Sequence, residues 1–284
     1  MIESLDYILD KKQRFWIVKK MGNKIYGNIV FIPDNHGKRY NNLTNKFYSK
    51  VKFPDGNFKS IKESEIIKIF QPKEYFRKNY KNIKGQWKNL ADSLVNLGIK
   101  KKEIGIFGSK LIGFNKTKDI DFVVYGINNC NKIKNNIKTI KRQLGARNIS
   151  KKHIAYQVQK YSDYHSKKND FHAMLKNKWS SLQFKEDILS TIRFLYSEDE
   201  LPKEIGIKKG KEKIISGIVK EEFSSYLPRI FYIKSKNKKI RVMTYFWAYQ
   251  SCVKKNQKVR IFGTYNKKSK TVFLTKKQHW IKII

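Results

Sequence analysis

The sequence predicts an α+β protein, in which a mixed sheet with helices is flanked by a small N-terminal β unit and a C-terminal β-barrel. Three observations predict it. Residues 14–61 read as short β-branched and aromatic runs punctuated by turn residues. Residues 74–145 mix strand-like runs with apolar stripes at helical spacing, and five further strand-like runs crowd into 214–275. At 284 residues the chain exceeds a typical domain of roughly 100–150 residues, so three units are expected: 1–72, 73–200 and 201–284.

In the first unit RFWIVKK, KIYGNIVFI and KFYSKVKF are the strands, and Pro54-Asp55-Gly56-Asn57 is a tight turn, since Pro presets φ and Gly accepts the left-handed region. From Glu74 to Asn96 the period changes: Trp87, Leu90, Leu94 and Leu97 recur three and four apart, which predicts a helix packed on a core. IGIF (104–107) and DFVVY (121–125) are short buried strands joined by a loop carrying Gly108 and Gly113. Ile133, Ile137, Ile140 and Leu144 mark a second amphipathic helix that ends at Gly145. Residues 151–179 read as a helical or irregular basic insertion, and ILSTIRFLY (188–196) as one more strand. The acidic stretch Ser197-Glu198-Asp199-Glu200-Leu201-Pro202 is taken as a linker. Beyond it IISGIV, RIFYIK, KIRVMTYFW, KVRIFGTY and TVFLT supply five strands of a small barrel.

Charge dominates the composition: 63 basic against 23 acidic residues give +40, which points to a polyanionic partner, nucleic acid before an anionic membrane surface. Nine arginines against 54 lysines, with abundant Asn, Ile, Tyr and Phe, point to an AT-rich genome. Codon bias of that kind raises Glu alongside Lys, yet acids stay scarce, so the excess remains a physical signal. No apolar run reaches the roughly 18–20 residues of a membrane helix, and the MIESLDYILDKK start has no signal-peptide pattern, so a cytoplasmic protein is expected. Cys130 and Cys252 are too few for a disulfide framework and are expected to be buried hydrophobes.

The segment IGIFGSKLIGFNKTKDIDFVVYG (104–126) carries the chemistry: Gly108-Ser109 follows an apolar strand, nine residues intervene, and Asp119-Ile120-Asp121 leads into a second apolar strand. Alternation along a strand puts Asp119 and Asp121 on one face, where two carboxylates can share divalent cations such as Mg²⁺. A glycine after the strand lets the backbone approach phosphates, and the Ser109 hydroxyl adds a hydrogen bond. The pattern resembles the signature of the DNA polymerase β nucleotidyltransferase superfamily. That resemblance covers about 75 residues, and the order of β unit, core and barrel is also similar to a family of archaeal predicted nucleotidyltransferases.

It implies a polymerase β-type core, an NTP substrate and two Mg²⁺ ions, one lowering the pKa of the attacking hydroxyl and one neutralising pyrophosphate. Asp119 and Asp121 become the metal and catalytic acids, and Gly108, Ser109, Lys110 and the following helix start the nucleotide-binding group. Lys118, which stands where the superfamily often has a small Ser, joins the nucleotide-binding group as a phosphate contact. Members use a third carboxylate on a later strand. ILSTIRFLY holds no acid, so Asp187 at its start is the candidate, then Glu186, with Asp163 and Asp170 behind. His36, His153, His165, His172 and His279 do not show zinc spacing.

The C-terminal strands resemble an OB-fold, whose exposed aromatics and basic groove bind single strands. Phe231, Tyr232, Tyr245, Phe246, Trp247 and Tyr265 are the aromatic candidates, of which alternation assigns about half to the core. Arg229, Arg241 and Arg260 are the phosphate-contact candidates, with Tyr232 and Trp247 as stacking platforms. The leading expectation is Mg²⁺-dependent transfer of a nucleotide from an NTP to a nucleic-acid end. A nucleic-acid-binding protein with a degenerate nucleotidyltransferase domain is the alternative, and transfer to a small molecule or protein is a third.

Overall fold

The computed structural model describes residues 2–21, 24–51, 59–114, 119–161, 168–185, 188–202, 206–276 and 278–284. The fold is α+β and mostly sheet, and the chain divides into two compact units, Met1–Asn148 with Ser180–Glu204, and Ile149–Trp179 with Ile205–Ile284. The turn expected at 54–57 lies outside the described residues.

Unit 1 begins with an antiparallel sheet of β1 (Tyr7–Asp10), β2 (Phe15–Met21), β3 (Lys24–Pro33), β4 (Arg39–Asn41), β5 (Lys46–Lys50), β6 (Lys59–Ser60) and β7 (Ile66–Phe70), ordered β4-β5-β3-β2-β1-β7 with β6 on β3. The expected strands are β2, β3 and β5; β4 and β6 are too short to stand out, while β1 (YILD) and β7 (IIKIF) are short apolar runs that the sequence reading did not include. Strand β2 is apolar on consecutive positions because both its faces are covered. Trp16 and Val18 pack with Ile8 and Ile61, while Phe15 meets Tyr48, Phe70 and Phe114 at ring-centroid distances of 5.2, 5.9 and 5.8 Å. The Asp10 carboxylate ties β1 to β2, accepting from the Arg14 amide and from Trp16 Nε1, both at 2.8 Å.

The second sheet holds β8 (Ile104–Phe107), β9 (Asp121–Tyr125), β10 (Ser181–Gln183) and β11 (Leu189–Leu195) along the path β10-β11-β9-β8. Strand β9 runs antiparallel to β8 and parallel to β11, so the sheet is mixed. Helices α1 (Pro72–Asn79), α2 (Gly85–Asn96) and α3 (Ile127–Gln143) complete the unit. The continuous helix expected over 74–96 is broken, because Ile83 is extended and Gly85 takes φ +62°. Helix α1 lies directly on β8 at Gly105, where an added Cβ would stand 2.6 Å from Pro72 Cβ. The acidic stretch is anchored rather than free: the Glu200 carboxylate accepts the Ile127 amide at 2.9 Å and so caps the start of α3.

Unit 2 contains α4 (Lys151–Tyr161) and α5 (Lys168–Leu175), so the 151–179 segment is helical over those residues. Its strands are β12 (Lys211–Phe223), β13 (Tyr226–Leu227), β14 (Arg229–Ser235), β15 (Lys238–Thr244), β16 (Lys258–Asn266), β17 (Thr271–Leu274) and β18 (Trp280–Ile283). The path β12-β14-β15-β17-β16 closes through β12–β16 pairing into a five-stranded OB-like barrel, with β18 added on β16. Closure depends on β12 serving two partners, β16 through residues 211–218 and β14 through 218–223. At the changeover Gly217 comes so close to β14 that a Cβ would stand 2.7 Å from the Lys234 carbonyl oxygen. Both cysteines are buried thiols outside any disulfide, and among the described residues no helix is long and apolar enough to cross a membrane.

Asp6 supplies a pH test of unit 1. It is 1% exposed, and burial pushes its carboxyl up from 3.8 to about 7, against the Glu3 amide that donates to it at 2.9 Å. The unfolded chain loses this proton near 3.8 and the folded chain near 7, so stability falls as pH rises across that window and levels off above it. Asp6→Asn is expected to unfold later than wild type at pH 8, by at most about 4 kcal/mol, with the gain gone near pH 4. Urea unfolding at a series of pH values checks it; a pH-independent difference would refute the retained proton.

Candidate functional site

The Gly-Ser turn and the carboxylate pair meet at one end of the mixed sheet. Gly108 takes φ +84°, which turns the chain sharply after β8, and a Cβ there would lie 3.5 Å from Asp121 Oδ2. The turn therefore passes directly beside the carboxylate. Beyond Gly108 the chain makes successive turns in place of the expected helix start. The Leu111 amide donates to Gly108 at 3.1 Å, the Gly113 amide to Lys110 at 3.3 Å and the Phe114 amide to Ser109 at 3.1 Å. Among the described residues the amides of Ser109 and Lys110 have no partner, so the turn offers two donors where a helix would have offered its first turn.

Strand β11 holds both acids. The Leu189 amide donates to Asp119 Oδ1 and the Thr191 amide to Asp121 Oδ1, each at 3.2 Å, so alternate amides of one strand meet alternate carboxylates of its neighbour. Asp119 is exposed and Asp121 half-buried. Burial pushes Asp121 above the usual carboxylate range; Arg193 opposes this, and the charge of Asp119 adds to it. Arg193 Nη2 stands 3.9 Å from Asp121 Oδ2, with the guanidinium carbon 5.2 Å from the Phe107 ring centroid. Residues 189, 191 and 193 share a strand face, so a cation occupies the in-strand position facing the acids. Asp187 and Glu186, the third-carboxylate candidates, lie outside the described residues, as do Lys118 and Asp163, while Asp170 falls on α5 of unit 2. Among the described residues no group of three or more His, Cys, Asp or Glu side chains converges.

The N-terminal sheet reaches this turn. Phe114 packs on Phe31 at 4.6 Å and on Tyr48 at 5.6 Å between centroids, and Asn41 Nδ2 donates to the Ile112 carbonyl at 2.7 Å. With the turn so fixed, Arg39 Nη1 donates to Ser109 Oγ at 3.0 Å. Lys50, at the end of β5, adds a positive charge that acts on Asp121. Arg39, Lys50 and Arg193 were not among the residues expected from sequence. Strand alternation through Thr191 could have pointed to Arg193; the other two are brought in by contacts distant in sequence.

In the barrel the expected nucleic-acid residues separate. Arg229 is a correction: it is 1% exposed, its Nε donates to the Phe246 carbonyl at 2.9 Å and its Nη1 to Tyr226 at 2.8 Å, which makes it a core residue. Trp247 is half-buried with that guanidinium 5.4 Å from its ring centroid. Tyr232 and Arg241 are brought together as cross-strand partners on the outer face of β14–β15, where Lys239 Nζ lies 4.4 Å from the Tyr232 ring centroid. Arg241 Nε also donates to Thr271 Oγ1 at 3.1 Å. Arg260 is exposed on β16, opposite Ser216 and Lys282. Of the six aromatics, Phe231, Tyr245 and Phe246 are buried, and Tyr232, Trp247 and Tyr265 are half-buried. His279 is buried, its Nδ1 accepting the Thr275 amide at 3.0 Å, which leaves Nε2 as the donor to Glu212. His165 lies outside the described residues.

Compared with known proteins, the chain matches no family model and no curated protein. The two arginines can be told apart by stability. Arg229→Ala removes two buried hydrogen bonds and leaves a cavity, so a loss of roughly 2–5 kcal/mol is expected, whereas Arg241→Ala is expected to cost less than about 1 kcal/mol. Thermal unfolding of both variants checks the assignment, and equal losses would contradict it.

Proposed function

We infer that unit 1 carries a nucleotidyltransferase site of the polymerase β type, transferring a nucleotide from an NTP to a nucleic-acid end. The observation that carries this reading is the pair Asp119 and Asp121, held side by side by the Leu189 and Thr191 amides and lying against the Gly108-Ser109 turn. The donor set fits Mg²⁺: two hard carboxylates, the inner one kept above its usual range by burial and by its neighbour even with Arg193 opposite, so that the site accepts further positive charge. Asp119 and Asp121 would hold the ion, which when bound neutralises phosphate charge and acidifies the attacking hydroxyl.

The chain's own groups do the positioning. Gly108 brings the backbone close to the phosphates, the Ser109 and Lys110 amides donate to them, and the Ser109 hydroxyl adds a third donor. Arg193 holds the Asp121 carboxylate in place and places a fixed positive charge beside the reacting phosphate. The +40 net charge and the outer barrel face with Tyr232, Lys239 and Arg241 favour a single-stranded or frayed nucleic-acid end as acceptor.

One observation favours the alternative of a nucleic-acid-binding protein with a degenerate site: Arg193, a cation, faces Asp121 on the strand where relatives of this class would carry a further acid. Incubation with labelled NTPs, Mg²⁺ and a panel of RNA and DNA ends separates the two. Incorporation is expected with wild type and lost by at least about 100-fold in Asp119→Ala and Asp121→Ala. Tyr232→Ala and Arg241→Ala are expected to raise KM for the acceptor several-fold with a smaller change in kcat. Wild-type incorporation no higher than that of the carboxylate variants would overturn the enzymatic reading in favour of the binding one.

A further inference from the structure

Arg39 sits 70 residues from Ser109 in sequence, on a different sheet, yet its guanidinium is directed at the Ser109 hydroxyl at 3.0 Å. Its guanidinium carbon lies 5.6 Å from the Phe31 ring centroid, so the ring supports the head group from behind. The side chain is exposed, and among the described residues the hydroxyl is its one hydrogen-bond partner; no carboxylate faces it. A guanidinium presents five donors in a fixed fork, and here most of them are unused. Beside it stand the unpartnered amides of Ser109 and Lys110. Strand β5 adds Lys50, which pairs in register with Phe31 and whose charge acts on Asp121. The β4–β5 hairpin thus brings one cation to the Gly-Ser turn and a second to the carboxylates.

The guanidinium and two amides form a positively charged donor cluster around the Ser109 hydroxyl, which accepts from Arg39 and keeps its own O–H to donate onward, and among the described residues no carboxylate pairs with Arg39. Phosphate oxygens complement it, since each takes several charge-assisted hydrogen bonds and Arg binds them in bidentate fashion. We propose that the β4–β5 hairpin of the N-terminal sheet is the phosphate-binding wall of the site, with Arg39 gripping the outer phosphates of a nucleoside triphosphate alongside the Ser109 and Lys110 amides. The nucleotide part of this proposal rests on the nucleotidyltransferase reading; the polyphosphate part rests on the donor cluster alone. The N-terminal sheet is then a component of the site and not a separate nucleic-acid-binding module.

The test is calorimetric titration of the full chain with Mg²⁺-ATP and, separately, with inorganic tripolyphosphate. Wild type, Arg39→Ala, Arg39→Lys, Asp121→Asn and Lys138→Ala, a change at an exposed position on α3, are compared. Arg39→Ala is expected to weaken both ligands by roughly ten-fold or more at unchanged melting temperature. Arg39→Lys should recover part of the loss, since charge returns without the fork, and Lys138→Ala should change neither. If wild type binds Mg²⁺-ATP in an Asp121-dependent way and Arg39→Ala binds as tightly, the proposal falls and the nucleotidyltransferase reading stands. If tripolyphosphate binding depends on Arg39 while Mg²⁺-ATP gains nothing over it and ignores Asp121, the phosphate wall stands and the nucleotidyltransferase reading falls. No binding of either ligand to wild type overturns both. An Arg39→Ala effect confined to a single-stranded RNA oligonucleotide would assign the residue to nucleic-acid binding and overturn the proposal.

Discussion

The parallel pairing of β9 with β11 is the constraint on which unit 1 depends. Parallel neighbours enter from the same end, so the chain must leave the sheet after Tyr125 and return before Leu189. Helix α3 makes the first leg of that excursion, residues 149–179 belong to unit 2, and the chain re-enters at Ser180. Unit 1 is therefore assembled from two segments, and the Glu200 carboxylate on the Ile127 amide ties the second segment back to the start of α3. The same pairing builds the site. Because β9 and β11 begin at the same end, the first amides of β11 stand where Asp119 and Asp121 need donors.

How much of this was legible depends on the range of the interactions. IGIF and the FVVY of DFVVY are buried apolar runs, on the terminal strand β8 and the interior strand β9, and the strand ends were readable to the residue. The five barrel strands were readable for a related reason, since closure demands alternating or continuous apolar runs at regular spacing. The break between α1 and α2 was not legible from the apolar stripe, because it rests on the positive φ of Gly85 and not on any loss of hydrophobic period. In the barrel, alternation correctly allotted about half the aromatics to the core but could not say which half, because that depends on strand register. It also could not foresee that Arg229, which reads as a phosphate contact, turns inward to bond the carbonyls of Tyr226 and Phe246. Around the carboxylates the motif itself was visible, while its cationic surroundings were supplied by β4, β5 and β11, whose approach depends on tertiary packing at Phe114 and Asn41.

Electrostatics gives the carboxylate pair a direction. In a chain of net charge +40 an acid would ordinarily be well neutralised, yet Asp121 is pushed toward its protonated form. Burial outweighs the nearby Arg193 and Lys50, and Asp119 adds repulsion. Cations distributed over a surface are screened within about 10 Å at ordinary ionic strength and contribute little to a buried group. This balance distinguishes the pair from acids that are already fully neutralised within the fold, and it is the reason the proposed nucleotidyltransferase reading assigns the cation to them.

The composition then becomes informative in a way that net charge is not. With nine arginines among 63 basic residues, lysine is the default cation of this chain, so the arginines whose planar head groups are engaged stand out. At least four of the nine lie over an aromatic ring: Arg14 on Trp16, Arg39 on Phe31, Arg193 on Phe107 and Arg229 on Trp247. In Arg14 and Arg229 the planar fork is occupied within the fold, by the Asp10 carboxylate and by two carbonyls. Arg193 is shared between the fold and the site through Asp121. Arg39 differs from all three: its plane is supported by Phe31, yet among the described residues its one hydrogen-bond partner is a serine hydroxyl at the mouth of the Gly108 turn. A fork held in place by an aromatic ring, retained against a strong lysine bias and left largely open, is arranged for an anion from outside the chain.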